Sequence, residues 1–263
     1  MSTHAYAVRD SVTMLRRNLL HAKRYPISST GTLVVPILLL LAFAGLFGNA
    51  LSAGLGAISN GAIDYTDYLT PAVIVIAAAS GGLSTALSVH LDMSAGIINR
   101  FRTMAISRAS VLTGQVAGST IRTLISAVLV VGIALLLGFR PSASPVEWIA
   151  AAGVFAMLTV ALTWLTVSFG LLAKTPGGAN SLALLPAFLP FVSSAFIPTG
   201  SMPAGVRWFA ENEPFTPVIN TLRGLLTGTP IGHDAVLAVL WCAVLTLAGY
   251  LWARRLYNRP PAR

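Results

Sequence analysis

The sequence predicts an all-α integral membrane protein with six transmembrane helices. Three observations carry that expectation. Of 263 residues, 55% are hydrophobic and only 10% charged, and mean hydropathy is +0.77; soluble globular chains carry about 25% charged residues. The apolar residues fall in runs long enough to cross a bilayer, which takes about 20 residues per helix. The positive charge is gathered between those runs. No stretch has the mixed charge of a soluble surface, so 1–263 reads as a single transmembrane domain: a cytoplasmic interfacial helix over 1–31, a six-span bundle over 32–253 and a cytoplasmic tail over 254–263.

In the first 31 residues Val8, Val12, Leu15 and Leu19 recur at helical spacing, with Arg9, Arg16, Arg17 and Lys23 beside or opposite them. That pattern suits an amphipathic helix lying in the membrane interface; an ordinary basic topogenic leader accounts for the same residues. Tyr25-Pro26 ends the pattern, because a residue before proline is pushed out of the helical region. The first span, 32–53, begins TLVVPILLLLAFAGLFGNAL. A signal peptide competes here, but the leader is long for its basic region and the apolar run too long for its core. The remaining spans are placed at 69–91, 109–138, 146–173, 179–198 and 234–253.

Basic residues fix the orientation. Thirteen of the 17 fall at the N-terminus, in the second-to-third connector, at Lys174 and in the tail. The other side has Arg140, Arg207 and Arg223 together with six of the eight acids, and Arg122 lies inside the third span. The positive-inside rule then makes both termini cytoplasmic. The same clustering accounts for the net charge of +9 without nucleic acid. Arginine outnumbers lysine fifteen to two, which is compatible with a high-GC bacterial genome and a bacterial cell membrane. The only cysteine, Cys242, sits in the last apolar run and has no partner for an internal disulfide.

The second-to-third connector places Ile97, Phe101 and Met104 on one helical face, with Asn99, Arg102 and Thr103 away from it and Arg100 at its border. A short helix of this kind can rest on lipid, or its apolar knob and flanking arginines can dock into a cytoplasmic partner. Spacing alone leaves both open. After the fifth span, Val206, Phe209 and Ala210 recur helically, Pro214 and Pro217 break the pattern, and Val218–Leu226 resumes it. Two short helices re-entering the outer leaflet fit that alternation, provided protein buries the non-helical backbone.

Two segments carry a family resemblance. GIINRFRTMAISRASVLTGQ, residues 96–115, resembles the region after the second span in permeases of the ABC-2 exporter family, especially its drug-resistance and antibiotic-export branch. Ala105 stands where that pattern has a proline. FLPFVSSAFIPTGSMPAGVRWFAENEPFTPVINTLRGLLTG, residues 188–228, is similar to the family's C-terminal signature, with Glu213-Pro214 in place of Asn-Pro. The resemblance implies that the connector is a coupling helix contacting a nucleotide-binding subunit through Ile97, Ile98, Arg100, Phe101, Arg102, Met104 and Arg108. It implies re-entrant helices marked by Pro203, Pro214, Pro217, Arg223 and Gly224, capping the exit of a pathway. It also implies a second copy of the chain as partner, contact with membrane lipid, and export of a drug, antibiotic or lipid, with polysaccharide as the nearest alternative cargo.

The chain has no P-loop. Lys23 is followed by Arg24, and Lys174-Thr175 is preceded by Ala173 rather than glycine, so the G-x-x-x-x-G-K-[ST] cradle for phosphates is missing. ATP and Mg²⁺ are therefore expected at the partner ATPase, and no cofactor or metal on this chain. His4, His21, His90 and His233 are scattered and pair with no carboxylate or histidine at a ligand spacing. His90 and Asp92 read as an interfacial pair rather than a proton relay, since positions two apart face different ways. An ion-driven secondary transporter lacks the buried acids it would need, and a membrane enzyme lacks a clustered catalytic set.

Candidate pathway residues come from two spans. Ser80, Gly81, Gly82, Ser84, Thr85 and Ser88 give the second a small, hydroxylated face, which serves close helix packing or a subunit interface that opens for cargo. The fifth carries Pro186 and Pro190, which promote kinks, and Phe188, Phe191, Ser193, Ser194 and Phe196, an uncharged surface suited to amphipathic cargo or to plain packing. Arg122 is placed near the inner boundary of the third span, where it can snorkel.

Overall fold

A computed structural model describes residues 34–48, 50, 52, 64–94 and 108–257, the side chains of 108–111 excepted. The N-terminal interfacial helix, the connector from Ile97 to Met104 and the end of the tail lie outside the described residues. In chain order the helices are α1 (Val34–Leu46), α2 (Tyr65–Ser94), α3 (Arg108–Leu136), α4 (Pro145–Leu172), α5 (Pro176–Phe188), α6 (Ala204–Asn212), α7 (Phe215–Thr227) and α8 (Asp234–Tyr257). No strand occurs among the described residues.

Four helices, within α2, α3, α4 and α8, are long and apolar enough to cross a membrane. The expected fifth span is shorter as a helix, and of the first the described residues are helical over Val34–Leu46 and again at Gly48, Ala50 and Ser52. α1 changes to a wider π-helical turn over Leu41–Leu46, where the Phe47 N–H donates to Ala42 O at 3.1 Å. α5 passes at Pro190 into a 3-10 turn, Leu189–Val192, and Ser193 is extended. A proline supplies no N–H to continue the α ladder, so helix ends by Val192 instead of running to 198. The last helix overruns its expected end and carries Arg254 and Arg255 in its final turn.

Local chemistry sets the starts and stops. At α4 the Ser144 hydroxyl accepts the Glu147 N–H at 3.4 Å, and the Glu147 carboxylate accepts the Ser144 N–H at 2.6 Å, with Pro145 next. This capping box satisfies two of the free N–H groups at a helix start. Thr175 caps α5 by accepting the Gly178 N–H. α3 stops in a turn at Gly138, whose φ of 106° only glycine adopts freely. α7 ends at left-handed Gly228, whose N–H donates to Gly224 O at 2.9 Å.

α2 lies at the centre, packed by α3, α4, α5 and α7, with α8 against the far side of α4. It is buried almost all round, including Thr70, Ser80 and Thr85. Thr70 donates to Thr66 O and Thr85 to Gly81 O, and in α4 Thr159, Thr163 and Thr166 donate one turn back in the same way. Away from water a hydroxyl needs such an internal acceptor. Glycines set the closest approaches. A Cβ on Gly170 would lie 2.5 Å from Ala86 O of α2, and one on Gly249 would lie 2.9 Å from Leu165 N of α4. The outward faces of α3 and α8 stay apolar and exposed, with Val128 71% and Val236 61% accessible.

Candidate functional site

At the end of the bundle holding the start of α2, the α3–α4 turn and α6–α7, a buried cation joins four elements. Arg223 of α7 is only 7% exposed. Its Nε and Nη2 donate to Tyr68 O at 3.2 Å each, Nη2 also to Ser194 O at 3.0 Å, and Nη1 to Asn220 Oδ1 at 2.9 Å. The guanidinium carbon stands 3.7 Å from the centre of the Tyr68 ring, within range for a cation–π contact. No carboxylate pairs with it directly among the described residues. Instead Asn220 donates to Asp234 Oδ2 at 2.9 Å, so the nearest countercharge reaches the arginine through an amide. Five donors in a planar fork can serve several acceptors at once, which a lysine cannot.

The surrounding groups close the network. The Tyr68 hydroxyl donates to Ser194 O at 2.9 Å, and the Ser194 hydroxyl donates to Asn220 Oδ1 at 3.0 Å. The Ser194 N–H donates to Thr216 Oγ1 at 3.1 Å. Glu213, 4% exposed, accepts N–H bonds from Phe215 and Thr216 at the start of α7, where the helix dipole favours a negative group. Burial raises its carboxyl to about 7, and those N–H bonds only partly oppose the rise. Nearby, the Arg140 N–H donates to Asp67 Oδ1 at 3.0 Å and the Ser142 N–H to Leu226 O at 3.0 Å, fastening the α3–α4 turn to α2 and α7. What the cluster can do is hold or release the relative positions of α2, the end of α5, α7 and α8.

Ile97, Ile98, Arg100, Phe101, Arg102 and Met104 lie outside the described residues, and Arg108 is the first residue of α3. Pro203 and Pro214 occupy the N-cap positions of α6 and α7. Pro217 falls within the first turn of α7, where a missing N–H costs nothing, so the break in the pattern comes at Glu213-Pro214. Gly224 faces Ile231 and Thr229 with no room for a side chain. Ser84 donates to Gly81 O, and Ser88 accepts from Gln115 of α3 at 3.2 Å. Ser193 and Ser194 are buried and bonded within the chain. Phe188 and Phe191 are 60% and 40% exposed, and Phe191 stacks on Phe196, whose ring centre lies 4.9 Å from that of Phe43 in α1.

Sequence reasoning missed Tyr68, Asn220, Glu213 and Asp234. Asn220 left a signal, since it precedes Arg223 by three positions on one helix, and Glu213 stood out only as part of the Glu213-Pro214 pair in the C-terminal signature. His90, four residues from the end of α2, is 5% exposed, and its Nδ1 has no hydrogen-bond partner among the described residues. Among the described residues no three His, Cys, Asp or Glu side chains gather as a metal site.

Long apolar helices, hydroxyls turned onto their own backbone and a polar clamp at one end define a multi-pass helical membrane protein. Residues 10–227 match the family described as ABC-2 type transporter, and the chain belongs to that family. It is similar to the daunorubicin resistance ABC transporter permease protein DrrB1 of Streptomyces coeruleorubidus, 26% identical over 261 residues, spanning 98% of this chain and 89% of that one. It is similar to a "Probable doxorubicin resistance ABC transporter permease protein DrrC" of Mycobacterium tuberculosis, 24% identical over 247 residues, 90% of this chain and 87% of the relative. A protein named as a transport permease, ycf38, of Porphyra purpurea is 28% identical over 239 residues, 89% of this chain and 80% of the relative.

Proposed function

We propose that this chain is the transmembrane subunit of an ATP-driven exporter that moves a hydrophobic or amphipathic molecule, a drug, antibiotic or lipid, out across a bacterial cell membrane. The observation that carries this reading is the near full-length similarity to permeases named for daunorubicin and doxorubicin resistance. ATP is hydrolysed, with Mg²⁺, by a separate nucleotide-binding subunit, since no P-loop is present. Two copies of the chain stand side by side, each with its ATPase. Six spans place both termini in the cytoplasm. In support, α1 and α5 take alternate directions with the four long helices, as Phe43 meets Phe196 and Ser52 meets Asp64 at the Arg223 end.

The ATPase drives the cycle through the connector Ile97–Arg108. Phe101 is the buried anchor and Arg100, Arg102 and Arg108 its polar rim. At the opposite end α6 and α7 re-enter the outer leaflet and cap the exit, and the Arg223 cluster holds that cap to α2. Phe188, Phe191 and Phe196 offer cargo an uncharged aromatic surface beside it.

Co-purification tests the reading. The tagged chain is extracted in mild detergent from its native host, its companions are identified and ATPase activity is assayed. A stoichiometric P-loop subunit with vanadate-sensitive hydrolysis is the expected result. A chain that emerges alone and inactive, under conditions preserving other membrane complexes, overturns it.

A further inference from the structure

Arg223 and Arg122 present opposite cases of an arginine in an apolar bundle. Every side of the Arg223 guanidinium meets an acceptor or a ring. Arg122 is half-buried, fourteen residues from either end of α3, and among the described residues none bonds or ion-pairs with its guanidinium. Left so in hydrocarbon, an arginine is costly, and such residues find a polar partner. We propose that Arg122 binds the phosphate of an anionic phospholipid in the leaflet facing the Arg108 end of the bundle. The inference is independent of what the protein transports.

Depth supports it. The 29 residues of α3 extend about 43 Å at 1.5 Å each, against a hydrocarbon layer of about 30 Å. The far end of α3 is fixed by the turn at Gly138, by Arg140 on Asp67 and by Ser142 on Leu226, so the surplus length lies at the Arg108 end. Counting about 20 residues back from Leu136 reaches the level of Ala117. Arg122 begins roughly 8 Å inside that level, and a helical side chain leans toward its helix N-terminus. The guanidinium thus reaches the headgroup boundary.

Lateral placement gives the same answer. On one side of Arg122 lies the buried polar face of α3, where Gln115 and Ser119 are engaged with Ser88 and Thr85 of α2. On the other lies the lipid-facing stripe containing Ile125, 56% exposed, and Leu129, 48% exposed. An arginine on that border meets acyl chains and their phosphates, and its fork matches two phosphate oxygens. Lys174, Arg254 and Arg255, exposed at the same end, attract anionic lipid only as screened surface charges.

The test is lipid retention by the full-length chain in nanodiscs of phosphatidylcholine with a minor fraction of phosphatidylglycerol, followed by graded delipidation and native mass spectrometry. Wild type should retain phosphatidylglycerol over phosphatidylcholine, and R122Q should lose that preference about tenfold, one charge-assisted contact of roughly 1.4 kcal/mol. R122K should fall between, and R254Q should match wild type. Equal retention of the two lipids by wild type overturns the proposal even if R122Q fails to insert. An undiminished preference in R122Q overturns it as well. Displacement of the retained lipid by inorganic phosphate assigns the site to a soluble anion and overturns the lipid as its source.

Discussion

Arg223 shows how far one residue could be read. Its place in a Leu-Arg-Gly-Leu-Leu string marks it, but nothing in the sequence pairs it with Tyr68, 155 positions away. The partner is largely a backbone carbonyl, which every residue possesses, so sequence carries no trace of it. The cluster makes separable predictions. Tyr68→Phe keeps the ring over the guanidinium and loses only the bond to Ser194 O, so detergent-solubilised protein should be destabilised by about 1 kcal/mol. Tyr68→Leu also removes the cation–π contact and should lose about 1 kcal/mol more. Arg223→Gln strands several buried acceptors at once and should be the most destabilising of the three, at roughly 1–3 kcal/mol for each buried group left bare. Thermal melts that rank Tyr68→Phe with Arg223→Gln would contradict the clamp. Glu213 predicts a pH dependence. Its folded pKa of about 7 stands above the ordinary value of 4.5, so its contribution to stability is complete below about 4.5 and is lost as pH rises through about 7. Wild type should melt lower at pH 8 than at pH 5, and Glu213→Gln should flatten that difference.

Element boundaries were legible where local chemistry wrote them. Ser144-Pro145 before α4 and the turn after α3 fall where the apolar runs stop, because caps and turn residues act within a few positions of the chain. The shortened α5 was less legible. Pro186 and Pro190 announce a disturbance, but whether a proline kinks a helix or ends it depends on what the following residues can bond to. Here Ser193 and Ser194 turn inward to Pro190 O and Asn220, and the helix stops. The small-residue face of α2 reads as serving close packing or a subunit interface, and its packing partners Thr123, Thr166 and Gly170 could not be named in advance. Two glycines separate close packing from mere composition. Gly170→Ala would drive a Cβ against Ala86 O, a backbone atom that cannot rotate aside, and should cost about 1–3 kcal/mol as overpacking. Gly132→Ala meets nothing within 4 Å and should be neutral or stabilising by up to about 1 kcal/mol through helix propensity. Equal melting temperatures for the two variants would mean that the α2–α4 contact is looser than described.

Over the whole molecule, two short signatures near 96–115 and 188–228 pointed to the family that the match over 10–227 establishes. Their described parts, 108–115 and 188–228, sit at opposite ends of the bundle, and α2 runs between those ends: it begins in the Arg223 cluster and is followed in the chain by the connector bearing Phe101. A helix buried almost throughout its length transmits a push better than one sliding in lipid, because close-packed neighbours leave it few independent motions. The proposed cycle therefore predicts that damage at either end of α2 separates hydrolysis from transport without preventing assembly. Phe101→Ala removes an apolar anchor of the size that dominates protein interfaces, where such truncations cost about 2 kcal/mol or more. In the co-purified complex, drug-stimulated transport into inverted vesicles should collapse while basal ATP hydrolysis and membrane insertion persist. Normal transport by Phe101→Ala would remove the connector from the drive train. Loss of the ATPase from the complex would instead make Phe101 an assembly contact, with the transmitted motion carried by the neighbouring arginines.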